Sequence, residues 1–139
     1  MKSCQFGALL TVAAKPLVAL VHAGWRGTAA GILERAVEVM KGRGFVRASD
    51  IVMHCGVGIC GACYEVGSEV LTQFTGRPEA DPGHLDLRGV LVAQARALGL
   101  AAISVSPWCS AHDRARFFSH RASGGRDGRM IAYAGVPLA

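Results

Sequence analysis

The sequence predicts an α/β fold, an α+β sandwich-like arrangement in which mixed β-sheet layers are flanked by helices. Short apolar runs with strand character alternate with stretches of helical spacing, and glycines punctuate almost every junction. The 139 residues suffice for one domain with a substantial core and are too few for two. A hydrophobic share of 51% against 18% charged excludes a disordered chain.

The first apolar run spans Phe6 to Ala13, is broken at Ala14-Lys15-Pro16 and resumes from Leu17 to Val21, which predicts two adjacent strands joined by a tight turn. His22 ends the second strand. Thr28 then reads as a helix N-cap, because Ile32, Leu33, Ala36, Val37 and Met40 follow at helical spacing up to Gly42 and Gly44. Asp50 to Val57 predicts a third strand and Gly56 to Gly61 a glycine-punctuated loop. Helices are expected over Tyr64 to Phe74 and Leu85 to Leu98, and a strand over Ala101 to Val105. Phe117 to His120 and Met130 to Ala134 flank Ser123 to Gly128 as a hairpin would.

Several function classes recede on composition. No uninterrupted apolar stretch reaches the roughly 18 residues of a membrane span, and the opening Met-Lys-Ser-Cys-Gln lacks a cleavable leader pattern, so the expected compartment is the cytoplasm. Five cysteines, an odd number, favour free thiols or metal ligands over a disulfide framework. The net charge of +5 comes mostly from arginine, concentrated near the C-terminus at Arg114, Arg116, Arg121, Arg126 and Arg129. Little aromatic interleaving and no nucleic-acid-binding motif accompany it, so planar anions such as phosphate or carboxylate are better partners than nucleic acid.

A histidine at the end of an apolar strand, followed by Ala-Gly-Trp-Arg-Gly, aims an imidazole at the mouth of a sheet and a helix N-terminus at an anion. A satisfied core histidine before a tight turn is the plainer reading of the same residues. Cys4 precedes the first strand, and two adjacent strands can bring it beside His22, as paired metal ligands or as a nucleophile and its base; a small buried cysteine is the simpler alternative. Cys60-Gly-Ala-Cys63 is half of a zinc-site pattern, for which only Cys109 and His112 offer a second half. The strand-C-x-x-C-helix context of a thioredoxin-like site is missing, and the glycines of this loop read as the better candidates for carrying a substrate. Phe117, Phe118, His120 and Arg121 would suit a planar ligand bearing a phosphate or ribose, the plainer reading of Phe117 and Phe118 being a strand that straddles two packed layers.

Taken together, HAGWRGTAAGILERAVEVM, GVGICGACYEVGSEV, the Leu85 to Leu87 LDL, the Cys109-Ser110 pair and FFSHRASGGRDGRM follow the order seen in the YfiH-like family. That family is also called the laccase-domain, multicopper polyphenol oxidase or purine nucleoside phosphorylase family, and the chain resembles it over essentially its whole length. The resemblance implies a YfiH-like fold lacking its N-terminal part, with residues 1–139 as a single domain that begins where the family is about half complete. It implies phosphorylase or adenosine deaminase activity on purine nucleosides such as adenosine and inosine. It further implies a metal site built from a histidine of an N-terminal motif, the cysteine of a T-A-D-C motif and the histidine of HAGWRG.

His22 matches the last of these. Cys4 matches the second by its distance from HAGWRG and by the strand after it, with Lys2-Ser3 where the family has Ala-Asp. Both would hold zinc, or alternatively copper, and be catalytic, while Arg26 and Arg121 would bind the phosphate of the substrate. The first histidine has no counterpart here, so a homo-oligomer or a second chain would supply it. A copper-dependent polyphenol oxidase and a non-catalytic homologue acting as an interaction module are the alternative functions.

Overall fold

The computed structural model describes residues 7–137. In chain order the elements are β1 (Ala8–Val12), β2 (Leu17–Val21), α1 (Trp25–Ala29), α2 (Ile32–Gly44), β3 (Ile51–Cys55), β4 (Glu65–Val66), α3 (Ser68–Thr75), β5 (Gly83–His84), α4 (Leu87–Ala97) and β6 (Ala102–Val105). The fold is mixed α/β, as expected. Four strands form the main sheet in the order β2-β1-β3-β6, and β4 pairs with β5 in a small ribbon. β1 is antiparallel to both neighbours, with Ala8 opposite Val21 on one side and Cys55 on the other, whereas β3 and β6 are parallel. The parallel pair requires a long crossover, and α4 lies within it and packs against both strands.

Strand alternation sorts the side chains. Ala8, Leu10 and Val12 of β1 and Ile51, Met53 and Cys55 of β3 face the core, where Leu33, Val37 and Met40 of α2 and Leu91 and Ala95 of α4 meet them. Complete burial of Leu10 or Leu33 contributes about 1.5–3 kcal/mol each. A second apolar cluster, around Tyr64, Val66, Val70, Leu85 and Leu87, joins α3 and the small ribbon to Cys109.

Four local expectations are corrected. The helix foreseen from Thr28 is two helices, because Gly31 adopts a left-handed conformation, φ 77°, between α1 and α2. Thr28 is therefore not a cap: it lies buried inside α1, where its carbonyl accepts a hydrogen bond from the Gln94 side chain of α4 at 3.1 Å. Tyr64 does not open a helix either. Its carbonyl accepts a bond from Leu85 N at 3.0 Å, drawing Glu65 and Val66 into the ribbon, and α3 starts only at Ser68.

No hairpin forms over residues 117–134. The Asp127 carboxylate accepts from Ser119 N at 2.8 Å and pairs with Arg114, while Ser123 Oγ accepts from Asp127 N at 3.0 Å. Side-chain oxygens thus capture amides that a hairpin ladder would need, and the segment winds into turns.

Candidate functional site

Because β1 runs antiparallel to both β2 and β3, the strands β2, β3 and β6 all end at the same edge of the sheet. Three connections leave from that edge: His22 and α1 after β2, the Gly56 to Cys63 loop after β3, and the Ser106 to His112 segment after β6. His22, Arg26, Cys60, Cys63, Cys109 and His112 lie on them. Such carboxyl-end edges are where open α/β sheets place their ligands.

His22 is the first residue beyond β2 and is exposed, which removes the satisfied core histidine as its explanation. A Cβ built on Gly7 would overlap the carbonyl oxygen of Val21, so the chain passes close to His22 as it enters β1. Cys4 lies outside the described residues. α1 is only five residues long and carries little macrodipole, so positive charge near His22 comes from Arg26 rather than from a helix end. The Arg26 guanidinium stacks over Trp25 at 4.5 Å, and Arg121 sits over the Tyr64 ring at 5.3 Å. Trp25 and Tyr64 belong to the same apolar cluster, which therefore carries both arginines.

The parallel pairing of β3 and β6 has a larger consequence. Cys55 stands opposite Val105, so Cys60 and Cys109 follow their strands at nearly equal distances and the two loops meet. Gly58 bridges to Cys109, and Ser110 N donates to Gly58 O at 3.0 Å. The ligand atoms of Cys60, Cys63, Cys109 and His112 all lie within 4.8 Å of one another. Cys63 Sγ is 3.0 Å from His112 Nε2, Cys60 Sγ is 3.9 Å from His112 Nδ1, and Cys60 N donates to Cys109 Sγ at 3.3 Å.

Protonation differs across the cluster. Burial, with the Cys60 and Cys109 thiols adding to it, pushes the Cys63 thiol up to about 11. Burial also raises Cys109, but backbone amides of Cys60, His112 and Ala111 outweigh it and bring that thiol below its ordinary value. The glycines of this loop allow the close approach, with a Cβ on Gly61 falling 2.8 Å from Asp86 Cβ, while the thiols rather than the glycines converge. Both halves of this tetrad were visible as C-x-x-C and C-x-x-H; their meeting depends on a strand pairing between distant segments.

A separate cavity of about 680 Å³ opens on the other face of the sheet, between Leu9, Leu20 and His54 and the residues Phe117, Phe118 and Tyr133. His54 is held there by Ser104 Oγ at 2.8 Å. Arg116 at its rim stacks over Trp108 at 4.3 Å, so this arginine is engaged rather than free. Arg129 Nη1 lies 2.8 Å from His120 Nδ1.

Known proteins share this architecture. The family described as multi-copper polyphenol oxidoreductase laccase matches residues 6–137. A purine nucleoside phosphorylase from Deinococcus radiodurans is 38% identical over 87% of this chain and 49% of its own length, and adenosine deaminase RL5, from an unknown prokaryotic organism, is 35% identical over 83% and 48%. The crystal structure of YlmD from Geobacillus stearothermophilus superimposes with a TM-score of 0.88 at 32% identity, covering 99% of this chain and 56% of that one. The chain spans about half the length of the curated relatives it matches. On the match over residues 6–137 and on its fold, the chain belongs to the YfiH-like, multicopper polyphenol oxidoreductase laccase family.

Proposed function

We propose that the chain carries part of the active centre of a metalloenzyme acting on purine nucleosides, by phosphorolysis, by deamination of adenosine, or by both. The observation that carries this reading is the exposed His22 at the end of β2, beside the point where the chain enters β1 and followed by Arg26. The names of the relatives, phosphorylase in most and adenosine deaminase in one, supply the substrate class.

An exposed imidazole at a strand terminus suits a zinc ligand, and Cys4 is proposed as its thiolate companion. Zinc held there would supply Lewis acidity, activating water against the amino-bearing carbon of adenine. Arg26 and Arg121 are proposed to hold phosphate for attack on the anomeric carbon of the ribose; stacking on Trp25 and Tyr64 pre-orients both guanidinium groups without neutralising them. The remaining ligand implied by the family resemblance is proposed to come from a second copy, a second chain or further sequence.

The test is incubation of the zinc-supplemented chain with adenosine, with and without phosphate, and separation of the products. Inosine in both samples with adenine and ribose 1-phosphate only in the second supports the reading; unchanged adenosine in both, when the chain is joined to the second chain or further sequence that completes its ligand set, refutes it. The family's description favours a second reading, a copper phenol oxidase. Five histidines in the whole chain are few for several coppers, and a phenolic dye assayed with added copper separates the two.

A further inference from the structure

We propose that Cys60, Cys63, Cys109 and His112 form a structural zinc site, with a ligand set distinct from that of the His22 corner, which clamps the loop after β3 to the segment after β6. Four observations converge on it. The donor atoms already lie within 4.8 Å of one another. A zinc tetrahedron with Zn–S of about 2.3 Å and Zn–N of about 2.0 Å has edges of roughly 3.5–3.8 Å, so closing it needs side-chain movements of about an ångström.

The backbone is shaped for the purpose. Cys63 N and Tyr64 N both donate to Cys60 O, at 3.1 and 3.0 Å, so that Cys60-Gly-Ala-Cys63 turns both thiols to one side. On the facing segment Asp113 N donates to Cys109 O at 2.8 Å, and the Asp113 carboxylate accepts from Cys109 N at 2.9 Å, which fixes the turn that presents Cys109 and His112. Cys60 N already donates to Cys109 Sγ, the kind of outer bond that stabilises a bound thiolate.

The chemistry of the set selects the ion. Three sulfurs and one imidazole suit zinc, and four protein donors close the coordination sphere and leave no position for a substrate. A nucleophile–base pair would explain Cys63 and His112 alone and leave Cys60 and Cys109 without a role. The clamp would also order what surrounds it. Arg88 Nη1 donates to Ser106 O and Trp108 O, both at 2.9 Å, and Tyr64, next to Cys63, carries Arg121.

The experiment strips the full chain of metal under reducing conditions and titrates it with Co²⁺ and Zn²⁺. The expected result is a thiolate-to-cobalt absorption of three-thiolate intensity that takes up about one equivalent at this cluster, is displaced by Zn²⁺, persists in His22→Ala and falls in Cys63→Ser. In the unsubstituted chain, Zn²⁺ should protect Cys60, Cys63 and Cys109 together from iodoacetamide, a readout that does not depend on any variant folding. The proposal is overturned if the chain shows no thiolate-to-cobalt absorption, if that absorption vanishes in His22→Ala but survives in Cys63→Ser, or if zinc leaves the three thiols equally reactive.

Discussion

Cys63 Sγ and His112 Nε2 stand 3.0 Å apart, although forty-eight residues lie between them, because β3 and β6 run parallel and release their loops at the same edge of the sheet. The same geometry sets His22 at that edge, through β2. One topological relationship thus gathers residues that lie far apart in the chain.

Removing metal should therefore loosen the edge rather than the core. With zinc a hundredfold above its dissociation constant, linkage contributes about 2.7 kcal/mol, equivalent to roughly 5–10 °C in Tm for a domain of this size. Thermal melts with and without a chelator should differ by that order in the unsubstituted chain, and the difference should shrink in Cys63→Ser.

Two glycines near α2 should respond oppositely to alanine. Gly31, at φ 77°, holds the break between α1 and α2, and Gly31→Ala should cost about 1 kcal/mol. Gly42 lies inside α2 with open space where a Cβ would go, so Gly42→Ala should stabilise by about 0.5–1 kcal/mol. Urea denaturation of the two variants checks both signs.

These glycines also show what could be read in advance. The strands β1, β2 and β6 and the position of His22 follow from apolar runs and local punctuation, so the sequence predicted them within a residue or two. Gly31 is visible in the sequence, but its handedness is not, and the helix was expected unbroken. Tyr64 reads as helical by spacing until Leu85, a distant partner, bonds its carbonyl. The tetrad was legible only as two halves: C-x-x-C and C-x-x-H are local, whereas the pairing that joins them belongs to the folded sheet.

Cys55 gives a pH signature away from both proposed ligand sets. Burial, reinforced by Asp86 and opposed by Arg88, raises this thiol above its ordinary value of 9.0. A group whose folded value is raised contributes stability that is intact below the unfolded value and is lost as pH climbs through the folded one. Stability should accordingly decline above about pH 9, and Cys55→Ala should flatten that decline. Denaturation midpoints across pH 7 to 11 in both proteins, run on the metal-stripped chain, measure it.

His22 is proposed as a reacting-site residue rather than a packing one, and its exposure makes the substitution structurally mild. The most direct measurement is adenosine turnover by the zinc-loaded chain, joined to the second chain or further sequence that completes its ligand set, and by the same assembly carrying His22→Ala, at matched concentration and with thermal melts confirming equal folding. The account predicts roughly a 100-fold or greater loss of inosine and adenine formation in the variant. Equal turnover by the two proteins would contradict it.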